Sequence, residues 1–161
     1  KQLEQQSDQK LLNDVTEYLV SKTKFDLPTE FLKKWMQNSG EQPLSAEAAD
    51  DEYDRSEKGI RYQLIEGKII ADHDLQIKLE ELKEFAKEMI IMQMANYGQA
   101  GLPDEELEGV VARVMSNQDE ARKLSEQLMS KKLLEFYKSN LLLKKKKLTF
   151  DAFVKEAYGQ G

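Results

Sequence analysis

The stretch "KEMIIMQMANYGQAGLPDEEL", Lys87 to Leu107, decides how this chain is read. Met89, Ile90, Ile91, Met92 and Met94 crowd the end of one helical pattern. Gly98-Gln99-Ala100-Gly101 then stops it, because glycine gives up the most conformational freedom on ordering. Leu102-Pro103, followed by Asp104, Glu105 and Glu106, starts the next helix. A proline in a first turn sacrifices no N–H that the helix needs, and acids match the positive end of the dipole. Helix, glycine stop and proline-acid restart together make a helical hairpin with this stretch at its tip. The methionine-rich knot is either core or a surface that stays open, and the pattern serves both readings.

The same punctuation occurs earlier, in "TKFDLPTEFLKKWM" at Thr23–Met36. Pro28 and Glu30 open a helix that runs to about Asn38 and carries Phe31, Leu32 and Trp35 on one side. Before it, residues 1–22 read as a helix with Leu11, Leu12, Val15, Tyr18 and Leu19 at helical spacing. After it, Ser39-Gly40 and "EQPLSAEA" form a loop, and a long helix is expected from Ala49 to Ala71. Gly59 and Gly67 interrupt that helix, and close approach of a neighbour is one use for either. A helix from Leu75 to Tyr97 follows the "ADHD" turn.

Beyond the restart, Leu107, Val110, Val111, Val114 and Met115 fall at i, i+3, i+4, i+7 and i+8. Asn117 caps a helix that runs to about Asn140, with Glu120 in capping-box relation, and Thr149 caps a last short one. "LLLKKKKL" is open between a helix end and a short extended segment. The expected plan is all-α: two helical hairpins, Pro28–Ala71 and Leu75–Asn140, between an opening and a closing helix. No stretch reads as part of a sheet.

Composition narrows the function classes. Charged residues make up 34% of the 161 and the formal net charge is −6, which argues against a polyanion or membrane-surface role. With no cysteine, disulfides and thiolate metal sites are excluded, and the cytoplasm is the plainest compartment. No apolar run is long enough to span a bilayer. The chain opens on Lys1, already in polar helical sequence, and reads as excised from something longer.

Chemistry is sparse. His73 is the one histidine, and adjacent Asp72 and Asp74 in the same turn do not converge easily on one ion. "DDEYD" lacks the alternating oxygen ligands of a calcium loop and reads as a dipole-matched helix start. Lys144–Lys147 could meet an anion, yet lysines are expected near a helix C-terminus. No phosphate loop, nucleophile elbow or zincin motif is present. The expectation is a chain with no catalysis, no cofactor and no metal. Its working asset is apolar surface, since methionine adapts to varied apolar partners.

Several residues in order then resemble a known family. Phe25-Asp26-Leu27-Pro28 leads into the first hairpin; Leu64-Ile65-Glu66-Gly67-Lys68-Ile69-Ile70 closes it; Leu79, Leu82 and Met89 mark the second; "TFDAF" at Thr149–Phe153 opens the last helix. Together they resemble the C-terminal region of trigger factor, the bacterial ribosome-associated chaperone. The resemblance implies an elongated all-α body with two protruding helical-hairpin arms. It divides the single domain 1–161 into a body helix (1–24), arm one (25–72), arm two (73–140) and a C-terminal segment (141–161). It implies an ATP-independent chaperone that binds nascent or unfolded polypeptides and assists folding and export. The ribosome would be reached only through an N-terminal domain absent here, and prolyl isomerisation belongs to another absent domain. Self-association is a further partner mode; direct nucleic-acid and membrane contacts are not expected. Client contacts fall to Phe31 and Trp35 on arm one and to Met89, Met92, Met94 and Tyr97 on arm two. The segment between the arm-one helices is short and acidic for the family. The rival reading is a helical scaffold for one defined partner.

Overall fold

A computed structural model describes residues 2–40, 42–98 and 101–159. The expectations for Lys1, Glu41, Gln99 and Ala100 therefore lie outside the described residues. Within them the chain forms seven helices and no strand: α1 (Gln2–Lys22), α2 (Thr29–Ser39), α3 (Ala46–Asp72), α4 (Leu79–Asn96), α5 (Asp104–Ser116), α6 (Gln118–Asn140) and α7 (Phe150–Tyr158). The backbone divides into two compact units, one of residues 1–73 with 148–161, the other of residues 74–147.

In the first unit α2 and α3 form an antiparallel hairpin. Thr29 meets Tyr53 through their hydroxyls at 2.9 Å, Lys33 meets Asp50 at 3.0 Å, and the Leu44 N–H donates to the Gln37 carbonyl at 3.0 Å. Ala49 and Tyr53 are buried on the α3 side of this seam, with Leu32 and Met36 half-buried. Helix α1 lies along α3 in the same direction: Glu17 reaches Lys58, and further on Leu19 shares a groove with Ile65 and Ile69. The connection between α1 and α2 is pinned by Arg61. Its guanidinium donates to the Phe25 carbonyl at 2.7 Å, lies over the Phe25 ring at 5.2 Å and pairs with Glu57 at 2.8 Å.

The second unit is a three-helix packing in which α4, α5 and α6 each contact the other two. The predicted α5 stripe faces inward: Leu107 and Val111 are buried, and Val110, Val114 and Met115 are half-buried. Ala86, Leu128, Leu133 and Tyr137 complete the core. Lys132 binds the entry of α4 to α6, donating to the Gln76 carbonyl at 3.2 Å and to both Glu81 oxygens at 3.1 Å.

Helix ends account for most differences from the sequence reading. Helix α3 starts three residues early because the Ser45 hydroxyl accepts the Ala48 N–H and caps it. Helix α4 starts at Leu79, four residues late. Asp74 takes a left-handed φ of 53° after α3, and the next turn begins only where the Glu81 carboxylate accepts the Lys78 N–H at 2.8 Å. A lysine side chain has no acceptor, so this is half of a capping box. Asn117 caps α6 through two backbone N–H groups and Thr149 caps α7. Lys144–Lys147 follow α6 rather than ending it, in non-helical backbone, so the helix-terminus explanation for them is withdrawn.

The glycines separate into two kinds. At Gly59 and Gly67 a Cβ would meet nothing within 4 Å, so neither admits a close neighbour, contrary to the expectation. Gly98 has φ +67° and ends α4, its N–H donating to the Ala95 carbonyl at 3.1 Å. Gly59→Ala and Gly67→Ala should each stabilise the chain by about 0.5–1 kcal/mol, whereas Gly98→Ala should cost roughly 1 kcal/mol. Urea unfolding of the three variants measures both signs.

Acid should loosen the second unit through Glu81. The Lys78 N–H, and then Lys132, hold its carboxyl below the ordinary 4.5. A depressed folded-state pKa gives stability that is present above the unfolded value and lost as pH falls. The stability gap between the wild type and Glu81→Gln, read by urea unfolding, should therefore shrink as pH drops below 4.5.

Candidate functional site

Three ionisable groups among the described residues are clearly shifted from their ordinary pKa values. Lys33 is held more firmly protonated by its hydrogen bond to Asp50, Lys87 by its bond to Glu84, and Glu81 more firmly ionised as described. All three move away from neutrality, the reverse of what acid–base chemistry at neutral pH requires. Among the described residues no three His, Asp or Glu side chains converge as a metal site, and no helix is long and apolar enough to cross a membrane. A depression of about 770 Å³ lies where Asp14 and Glu17 of α1 face Lys58 and Arg61 of α3. Its carboxylates have cations at hand, as in an ordinary solvated helix interface.

The unusual feature is exposed apolar area on several helices. On α2, Phe31 (65% exposed) and Trp35 (56%) stand one turn apart, with the half-buried Leu32 and Met36 on the adjoining side of the helix. With Lys34, Asn38 and Ser39 they line an open groove of about 320 Å³. Charged and amide groups thus rim two aromatic rings.

At the end of α4 the knot "MIIMQM" is divided. Met89, Ile90 and Met94 are half-buried, whereas Ile91 (48%), Met92 (56%) and Tyr97 (75%) are exposed. One helix cannot aim six neighbouring side chains at one core, so the pattern supplies core and surface together. The structure therefore places four of the six sequence candidates in the open (Phe31, Trp35, Met92 and Tyr97) and two, Met89 and Met94, partly inside. The α2 pair lies in the first unit and the α4 group in the second.

Two apolar surfaces were not singled out by sequence reasoning. One is a groove of about 550 Å³ between the end of α1, the following loop and the second half of α3. Leu19, Phe25, Leu64, Ile65 and Ile69 line it, and the Lys68–Asp72 ion pair at 2.9 Å stands on its rim. The signal was present in "LIEGKII", where apolar residues are too dense for a single buried stripe. The other is the outer side of α7, where Phe150, Val154 and Tyr158 are exposed while Phe153 and Ala157 are half-buried. These surfaces are open and shallow, and they can hold an extended apolar segment where an enclosed cavity would select one small molecule.

Trp35 is the only tryptophan, so indole fluorescence reports this surface without interference. The folded chain should emit as a solvent-exposed indole and be quenched readily by acrylamide. A blue-shifted, protected emission would place Trp35 in a core.

A family model described as "Probable trigger factor, C-terminal domain" matches residues 7–156. No curated protein and no solved structure matches the chain. The matched span runs from α1 into α7 and takes in both units. Matched over nearly its whole length by this model and folded as helices throughout its described elements, the chain belongs to the trigger factor C-terminal domain family.

Proposed function

We propose that this chain is an ATP-independent chaperone domain that holds unfolded or nascent polypeptides on its exposed apolar faces. The observation that carries the reading is the aromatic pair Phe31 and Trp35 on α2 with the group Ile91, Met92 and Tyr97 at the end of α4, all large, apolar and exposed. Contiguous exposed apolar patches mark interaction surfaces. Their residue types suit a tolerant partner. Methionine repacks against different shapes, and aromatic rings contribute large contact area at low entropy cost. Charged rims keep such surfaces soluble while unoccupied.

Binding of this kind needs no nucleotide. Each contact is worth the apolar area it removes from water, about 25 cal/mol per Å² before ordering costs, so single sites are weak and several faces act together. The direct test is suppression of aggregation of several unrelated denatured proteins without nucleotide. Suppression of all of them supports the reading. Saturable binding of one folded partner, with no effect on denatured proteins, would establish the scaffold alternative.

Substitution separates surface from core. Phe31→Ser with Trp35→Ser, and separately Met92→Lys, should weaken client holding while shifting stability by no more than about 0.5 kcal/mol, the usual range for exposed positions. Met94→Lys should cost more, since a half-buried site must accept a charge. Thermal unfolding beside the aggregation assay resolves the two effects.

A further inference from the structure

We propose that Met92 is a reversible oxidation site, through which a peroxide weakens the hold of this chain on unfolded polypeptide. The inference rests on the client-binding reading above. Of the six methionines, Met36, Met89, Met94, Met115 and Met129 are half-buried, and Met92 alone is exposed. Oxidation follows access to the sulfur, so the six should react unequally with Met92 first.

The chemistry is a two-electron oxygen transfer. The thioether sulfur attacks one oxygen of hydrogen peroxide, an S–O bond forms and the O–O bond breaks. The departing hydroxide takes the proton from the transferred oxygen and leaves as water. The sulfur loses two electrons and becomes a sulfoxide; methionine sulfoxide reductases return it to the thioether.

Position gives the oxidation its consequence. Met92 sits on the solvent side of α4 beside Ile91, with Glu88, Ala95 and Asn96, one turn away on either side, also exposed. A sulfoxide there enters no core, so the fold has no reason to fail. It does add a strong hydrogen-bond acceptor where Ile91 and Met92 together offer exposed apolar surface. An apolar client side chain would have to strip water from that oxygen without replacing the bond. The half-buried Met89 and Met94 lie within three residues and serve as internal controls for access.

A timed hydrogen peroxide treatment of the full chain, followed by peptide-resolved mass spectrometry, ranks the six sulfurs. Client holding is assayed on the same samples, before and after reduction by the sulfoxide reductases. Met92 should be oxidised ahead of the other five, holding should weaken about fivefold, and reduction should restore it. Met92→Leu, compared with its own untreated level, should lose nothing at the same exposure. The proposal is overturned if Met92 reacts no faster than Met115 or Met129, or if fully oxidised Met92 leaves holding unchanged. If the untreated chain holds no client, the chaperone reading falls and the switch with it; if the untreated chain holds client and the oxidised chain holds it equally well, the switch alone falls.

Discussion

Within each unit, the helices have neighbours on one side and water on the other, and that constraint organises the molecule. Tyr53 and Ala49 face α2 while Asp51, Glu52 and Asp54 beside them face solvent. Leu107 and Val111 face inward from α5 while Glu105, Glu106 and Glu108 do not. The cores are thin as a result. The fully covered side chains are small or single, such as Ala49, Ala86 and Tyr137. A helix with one packed side has no means of hiding a second apolar stripe, so Phe31, Trp35, Ile91 and Met92 remain outside.

Thin cores give ion pairs and long cationic side chains a share of the positioning. Arg61 and Lys132 do equivalent jobs in the two units. Each ties a loop carbonyl and a carboxylate to the same cation, fixing where a non-helical segment meets a helix. Lys33 and Lys131 extend the idea, each lying over an aromatic ring while pairing with an acid, Lys33 over Tyr53 and Lys131 over Phe85. Exposed pairs are individually worth about 0–1 kcal/mol, so their effect is on geometry and register more than on total stability.

The same economy suits the holding role proposed above. Catalysis needs several groups fixed in a dry, shaped space, whereas one-sided packing leaves the available side chains in shallow, wet surroundings. What such surfaces can offer is area, adaptability and repetition. The groove of Leu19, Phe25, Leu64, Ile65 and Ile69 and the outer side of α7 add to those faces without resembling a pocket for a defined ligand.

The sequence by itself determined the helices and their punctuation. Pro28 and Pro103, the acids behind them, Asn117 and Thr149 act over one turn of backbone, and the α5 stripe is a local period of 3.6 residues. Its errors fell where a cap competed with a pattern: Ser45 started α3 early, and Asp74 with Glu81 delayed α4. Gly59 and Gly67 could not be told from Gly98 by composition, since all three stand in open space and only the positive φ of Gly98 separates them. Tertiary structure alone decided which apolar residues are covered. "MIIMQM" carries no mark distinguishing Met92 from Met94, because burial depends on how many neighbouring helices reach a given side, and that number is a property of the packed chain.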